Sequence, residues 1–149
     1  MESKEMLLSQ IKSLLQEQRF GVLATQGAEY PYSSLVSYAV SEDAKEIYFP
    51  TIRETQKFRN LLASPRVSLL VNNQTNQAND LLEARALTVL GIATEVAPED
   101  RLEVLARYLQ RHPALRDFIT FPNCALIKIQ VTKYISVTNF QHVEEYTIT

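Results

Sequence analysis

The stretch that most constrains the fold is residues 46–71, EIYFPTIRETQKFRNLLASPRVSLLV. Its first part, residues 47–49, is a compact β-prone run that Pro50 is expected to end. Apolar side chains at helical spacing within residues 58–62 then predict a short helix, and residues 67–71 predict a second strand. The stretch is therefore predicted to form a strand, a polar loop, a helix and a strand.

The loop of this stretch combines side chains that suit a bound anion. Residues 51–54 have the S/T-x-x-E spacing of a capping box, which predicts that Thr51 begins the helix. Free amides and the helix dipole favour negative charge at such an end, so a phosphate would fit there. An ordinary capped surface helix with a solvated lysine explains the same local pattern. The side chains concerned are Thr51, Arg53, Thr55, Gln56 and Lys57.

Composition limits the classes of function. A chain of 149 residues with 46% hydrophobic and 21% charged residues predicts one globular domain, residues 1–149. A net charge of -2 without any block of Lys and Arg argues against nucleic-acid binding. Apolar runs too short for a membrane span, and an acidic N-terminus unlike a signal peptide, predict a cytoplasmic protein. One cysteine excludes an internal disulfide, and no metal-ligand spacing is present.

The rest of the chain predicts a mainly β protein with attached helices (α+β). An amphipathic helix of about four turns comes first, and a second helix starts at Pro98 and ends at His112-Pro113. Strands are predicted at residues 20–25, 31–40, 86–96 and 125–131, the last continuing irregularly to Phe140, and a further strand is predicted to begin at residues 81–82. Short turns between successive strands indicate a small antiparallel barrel. The polar residues 72–79 are predicted to form a loop.

Two details of these elements are specific enough to test. The strand at residues 86–96 is apolar on both faces, which predicts either burial of both faces or one face in the core and the other in a subunit interface. Its Gly91 suggests a bulge or a close approach of backbone or ligand. The second helix is predicted to bury a stripe of leucine and alanine side chains: Leu102, Leu105, Ala106 and Leu109.

The order of these segments resembles the pyridoxamine 5'-phosphate oxidase-like family of FMN-binding split barrels. The resemblance rests on FGVLAT, PYSSLVSYAV, the central stretch with Thr51-x-x-x-Thr55-Gln56-Lys57, ALTVLGIATEV and CALIKIQV. It implies an antiparallel split β-barrel that forms a homodimer, with FMN in a groove at the subunit interface. The cofactor-binding residues that it implies are Ser33, Ser34, Leu35, Val36, Pro50, Thr51, Thr55, Gln56 and Lys57.

Departures from the family pattern argue against vitamin B6 oxidation. Gln56 stands where the true oxidases often have arginine, and no Lys or Arg lies between Phe20 and Ala44. The chain also lacks tryptophan, and its last arginine is Arg116. A second phosphate, on the substrate, would therefore lack cations to hold it.

The predicted function is that of an FMN-binding protein, a flavin-dependent oxidoreductase of unknown small-molecule substrate. The flavin ring would supply the redox chemistry, so no catalytic side chain is identified. One alternative is a haem-binding or haem-degrading split barrel with His142 as the iron ligand. Another is a non-enzymatic flavin-binding module, and a deazaflavin is also compatible with the pattern. His112 is interpreted as a helix cap and Cys124 as a buried apolar residue.

Overall fold

The computed structural model describes residues 2–139 and 141–149. Within these residues the chain forms eight strands in one antiparallel sheet and five α-helices. The helices are α1 (Glu2–Glu17), α2 (Gln56–Ala63), α3 (Asp80–Glu83), α4 (Arg101–Arg111) and α5 (Arg116–Ile119). The strands are β1 (Phe20–Gln26), β2 (Pro31–Ser37), β3 (Ala39–Val40), β4 (Glu46–Ile52), β5 (Arg66–Asn72), β6 (Ala86–Glu95), β7 (Cys124–Thr138) and β8 (His142–Thr147).

The segment predicted as a single strand over residues 31–40 is divided at Tyr38. Its first part, β2, pairs with β1, whereas its second part, β3, pairs with β4. Since the strand order is β2-β1-β5-β6-β7-β4-β3, these two parts lie at opposite ends of the sheet. Tyr38 thus joins the two ends and makes the sheet curl into a half-open barrel, as the prediction of an antiparallel split β-barrel requires.

The long strand β7 pairs with two different strands along one edge. Its first half pairs with β4 and its second half with β8, while β6 runs along the whole of the other edge. The β6–β7 register shifts at Gly91, where an added Cβ would lie 2.5 Å from the Gln130 carbonyl oxygen. The predicted bulge and close backbone approach at Gly91 are confirmed.

Two apolar clusters stabilise the sheet. The larger one fills the barrel, and α1 closes it with Leu7, Ile11, Leu14 and Leu15. The smaller one lies beneath α4 and α5 and includes Tyr108 and Cys124. Buried tyrosine hydroxyls are hydrogen-bonded, as they must be inside a core: Tyr38 donates to the Leu15 carbonyl at 2.8 Å, and Tyr134 to the Ala44 carbonyl at 2.7 Å.

The predicted start of the central helix is wrong. Thr51 lies in β4, which continues through Pro50 because residues 46–52 stay paired with β7. Pro50 has no amide hydrogen to donate. On the side of β4 that faces β3 this costs no interstrand hydrogen bond, because pairing with β3 ends at Tyr48. The helix begins at Gln56, and its N-cap is Thr55, whose Oγ1 accepts a hydrogen bond from the Phe58 amide.

Other boundaries also differ from the prediction. Residues 81–82 belong to the short helix α3 and are exposed, not part of a strand.

In α4 the buried side chains are Val104, Tyr108 and Leu109, whereas Leu102 is 81% exposed. Of the predicted stripe, Leu109 is buried and Leu105 is partly buried, whereas Leu102 and Ala106 are exposed, because the helix packs Val104 and Tyr108 against Ala39 of β3 and Tyr48 of β4. His112 caps α4 as predicted, and its ring also bonds the Tyr38 carbonyl. Phe140, the predicted end of β7, lies outside the described residues.

Candidate functional site

The N-terminus of α2 gathers hydroxyl groups and free amides. The buried Thr51 places its Oγ1 3.3 Å from Oγ1 of Thr55, which caps the helix. The amides of Gln56 and Lys57 find no hydrogen-bond acceptor among the described residues, as is usual in the first turn of a helix. No acidic residue lies in that turn. The end of α2 therefore offers donors and a positive dipole end to an anion.

Lys57 adds a cation to this site. Its side chain is partly buried, and the loss of hydration lowers the pKa of its amine. Among residues 2–139 and 141–149, no carboxylate oxygen lies within 4.0 Å of this amine. A partly dehydrated ammonium without a counter-ion gains most from an anionic ligand.

Arg53 is placed differently from Lys57, although the sequence put both in the same loop. Its guanidinium makes two hydrogen bonds to Glu95 at 2.7 and 2.6 Å, across the sheet on β6. This interaction lowers the pKa of the Glu95 carboxyl. Arg53 is thus neutralised by a partner within the protein, and its charge contributes little to an anion at α2.

Gln56 lies at the same helix end, but its amide is held by neighbours. Its Nε2 donates to Oδ1 of the buried Asn60 at 2.7 Å, and Asn60 donates in turn to Thr25 Oγ1 at 3.1 Å. Thr25 Oγ1 donates to the Tyr32 carbonyl at 3.4 Å. This chain of hydrogen bonds fixes α2 against the β1–β2 hairpin. Asn60 and Thr25 were not singled out from sequence; the only signal was an Asn four residues after Gln56.

The four predicted residues of β2 point alternately to two faces, as a strand demands. Ser33 and Leu35 are exposed on the outside of the sheet, whereas Ser34 and Val36 face inward. Oγ of Ser34 is buried and has no hydrogen-bond partner among residues 2–139 and 141–149. A buried hydroxyl without a partner is costly, so this position suits a polar group brought by a ligand. β2 also contacts β4, which ends beside α2.

The outer surface of the sheet is apolar. We call the patch formed by Val22, Leu35 and Leu70 the outer face; these residues are 37%, 66% and 39% exposed. They lie side by side, because Val22 is the cross-strand neighbour of both leucines. A groove of about 550 Å³ continues this surface and is lined by Ala24, Ser68, Leu90 and Ile92 among others. In β6, Ala93 is buried on the core face and Ile92 is exposed on the opposite face, so burial of both faces within one chain is not observed and the subunit contact stays a prediction.

The surroundings of His142 bear on the alternative of a haem iron ligand. It is exposed on β8, with Nε2 3.2 Å from a carboxylate oxygen of Glu144. Within the described residues, no group of three His, Cys, Asp or Glu side chains is arranged to hold a metal ion. Among the helices of those residues, none combines the length and apolar character needed to cross a bilayer.

A curled antiparallel sheet closed by a divided strand, with a capped helix after the fourth strand, defines the class of split-barrel proteins. The family model described as pyridoxamine 5'-phosphate oxidase matches residues 7–138. The chain therefore belongs to the pyridoxamine 5'-phosphate oxidase family, and the resemblance inferred from sequence is confirmed. No curated protein sequence matches the chain.

Solved structures share this fold at low sequence identity. A haem-binding protein from Mycobacterium smegmatis has a TM-score of 0.79 and 19% identity, over 90% of this chain and 56% of its own. The haem storage protein HutZ from Vibrio cholerae has a TM-score of 0.71 and 23% identity, over 83% and 88% of the two chains. A protein from Listeria innocua, described as a putative pyridoxamine 5'-phosphate oxidase, has a TM-score of 0.66 and 19% identity, over 86% of this chain and 95% of its own. The chain thus spans little more than half of the first of these proteins.

Proposed function

We propose that the protein binds FMN and acts as a flavin-dependent oxidoreductase on a small molecule. The observation that carries this proposal is Lys57, a partly buried ammonium without a carboxylate partner in the described residues. It stands at a helix N-terminus beside the hydroxyls of Thr51 and Thr55. Membership of the pyridoxamine 5'-phosphate oxidase family supports a phosphorylated flavin as the anion.

The residues present fit such a cofactor. Lys57 and the free amides of the first turn of α2 would hold the phosphate. The Thr55 hydroxyl would join them by turning its hydrogen from the Ile52 carbonyl to the phosphate, with the Thr51 hydroxyl beside it. Ser34 would offer its unpartnered hydroxyl, and the backbone of β2 its polar groups, to the edge of the ring. When bound, the isoalloxazine would supply hydride or electron transfer. The protein would bind, orient and shield it.

We also propose that the protein is a homodimer whose cofactor lies at the interface. The outer face exposes three neighbouring apolar side chains on adjoining strands. Contiguous apolar surface of this kind is uncommon on monomers and typical of subunit contacts.

The phosphate assignment is tested by replacing Lys57 with alanine. FMN binding, followed by quenching of flavin fluorescence, is expected to weaken about 10-fold, because a charge-assisted hydrogen bond to phosphate is lost. Lys4→Ala, which removes an exposed lysine of α1, serves as the control and is expected to leave the affinity unchanged. An unchanged FMN affinity in Lys57→Ala would contradict the assignment.

A haem-binding function is the second candidate. It is favoured by the fold similarity to the Mycobacterium smegmatis and Vibrio cholerae proteins, whose descriptions name haem. His142, exposed on β8, would be the iron ligand. A haem titration distinguishes the two candidates: a Soret band that is lost in His142→Ala would support haem, and its absence in the wild-type protein would exclude it.

A further inference from the structure

We infer that Tyr38, Arg111 and His112 form a latch that holds α1 on the barrel and that opens when the His112 ring takes up a proton. The latch lies where the run of strand residues divides between β2 and β3, beside the C-terminal end of α1. It is a conformational device of the fold and does not depend on the proposed FMN binding.

Arg111 supplies the positive charge that α1 lacks at its C-terminal end. The last turn of α1 contains no basic residue, so its free carbonyl oxygens and the negative end of its dipole have no cation from the helix itself. The Arg111 guanidinium reaches this end from α4. Its Nη2 donates to the carbonyls of Leu15 at 3.1 Å, of Gln16 at 2.8 Å and of Gln18. The last residue of α4 therefore holds the end of α1.

Tyr38 connects both helices to the sheet. Its side chain is fully buried, with the Arg111 guanidinium carbon 5.8 Å from the centre of its ring. Its hydroxyl donates to the Leu15 carbonyl at 2.8 Å, and its own carbonyl oxygen lies 2.7 Å from Nε2 of His112. Since a carbonyl oxygen only accepts, Nε2 of His112 carries the proton, and Nδ1 is the nitrogen that can take up another.

The surroundings of His112 oppose a positive charge on its ring. Burial lowers the pKa of this imidazole, and the guanidinium groups of Arg111 and Arg19 lower it further, against the opposing effect of the bond to the Tyr38 carbonyl. The ring of Tyr108 packs on the same imidazole, with the two ring centres 4.8 Å apart. The following turn, Pro113–Leu115, contains no titratable side chain. Among residues 2–139 and 141–149, no carboxylate oxygen lies within 4.0 Å of the His112 ring.

A proton on Nδ1 therefore loosens the contact between α1 and the barrel. The buried charge is relieved if the ring turns to solvent, which breaks its bond to the Tyr38 carbonyl. It is also relieved if Arg111 moves away, which breaks the bonds of Arg111 to the α1 carbonyls. Both movements act on the same end of α1. Release of α1 would uncover the apolar side chains with which it closes the barrel: Leu7, Ile11, Leu14 and Leu15.

The pH range of the latch follows from proton linkage. With α1 released, His112 is hydrated and has the ordinary histidine pKa of about 6.5, whereas the closed form has a lower pKa. The open form thus binds more protons, so closure is fully favoured above about pH 6.5 and is lost progressively as the pH falls below it.

The test is amide hydrogen exchange of wild-type protein and His112→Gln, compared at each pH from about 7.5 to about 5, on either side of the ordinary histidine pKa. Glutamine keeps a donor for the Tyr38 carbonyl but does not titrate. In the wild-type protein, opening of α1 relative to β7 is expected to increase below about pH 6.5, by up to about 10-fold per pH unit, the limit for uptake of one proton. The ratio should stay constant in His112→Gln. His142→Gln removes the exposed histidine of β8 and should behave as wild type.

Three results would overturn the latch. They are a wild-type ratio of α1 to β7 exchange that does not change with pH, the same acid response in His112→Gln, and equal acceleration of α1 and β7, which reports loss of the whole fold. If His112→Gln does not fold, proton NMR of the other two proteins decides. The chain has two histidines, so the ring signal that remains in His142→Gln belongs to His112. It must titrate below about pH 6.5 and in step with the opening of α1; titration at or above the ordinary pKa would also overturn the latch.

Discussion

Among the basic side chains near α2, Lys57 differs from Arg53 in its surroundings more than in its sequence context. Arg53 has Glu95 as a bidentate partner, while Lys57 is partly buried without one in the described residues. The sequence placed both in one loop and could not separate them, because Glu95 lies 42 residues away on β6. Only the tertiary pairing tells which cation is left for a ligand.

The pH dependence of flavin binding follows from the lowered pKa of Lys57. Burial disfavours the charged amine, so the ammonium loses its proton at a lower pH than an exposed lysine does. We expect the ratio of FMN to riboflavin affinity to fall as the pH rises through this lowered pKa, because only the ammonium attracts phosphate. Titrations from pH 7 upward measure this ratio.

Lys57→Arg provides the matched comparison, since arginine stays charged throughout this range. The variant should keep its preference for FMN to a higher pH than the wild-type protein. A wild-type ratio that stays constant up to the ordinary lysine pKa, about 10.4, would contradict this account of Lys57.

Among the secondary-structure elements, α2 is the one whose start was predicted one helical turn too early, at Thr51 instead of Thr55. Both Thr51 and Thr55 are good N-cap residues, and Thr51 with Glu54 even has capping-box spacing. The choice is made by β7, whose residues 124–130 hold β4 in the sheet as far as Ile52. The end of the helix at Ser64 was predictable, since proline follows it.

Thr55→Ala is expected to destabilise the protein by about 1 kcal/mol, the usual cost of losing a threonine cap. The Oγ1 of Thr55 accepts from the Phe58 amide at 3.3 Å and donates to the Ile52 carbonyl at 2.8 Å, so the variant leaves both groups without this partner. Urea unfolding measures the difference in free energy. Thr55→Ser keeps the hydroxyl and should retain most of the stability; equal losses in both variants would rule out the capping role.

For the longer helix α4, too, local sequence signals predict some features and not others. The positions of its ends were predicted closely from Pro98 and from His112-Pro113, because these are local signals. Its buried face was predicted only in part: Leu109 is buried as expected, but Val104 and Tyr108 were missed because they become buried only through packing against the strands β3 and β4. Periodicity gives the width of an apolar stripe, but tertiary packing selects which side is covered.

At the scale of the whole molecule, the split barrel and its family were predictable from the order of short segments. The division of residues 31–40 at Tyr38 was not, although it is what joins the two ends of the sheet. A local sequence pattern shows that a run is extended but not that its two halves pair with different strands. The curvature of the sheet therefore had to come from the structure.

The outer face makes a prediction about assembly. A charge on the outer face should prevent two copies from packing, because an unpaired carboxylate would be buried in the interface. Leu70→Asp is therefore expected to convert a dimer into a monomer, measured by light scattering after gel filtration. Leu102→Asp adds the same charge to an exposed leucine of α4 and should leave the dimer intact. A wild-type protein that is monomeric would contradict the proposed interface.

The central claim is that this barrel holds FMN with its phosphate on the N-terminus of α2. The most direct measurement is the absorbance spectrum of the purified protein before and after addition of FMN, with flavin fluorescence recorded in parallel. We expect shifted flavin bands and quenched fluorescence in the wild-type protein, and both effects weakened in Lys57→Ala. Free-flavin spectra and unquenched fluorescence in the presence of wild-type protein would contradict it.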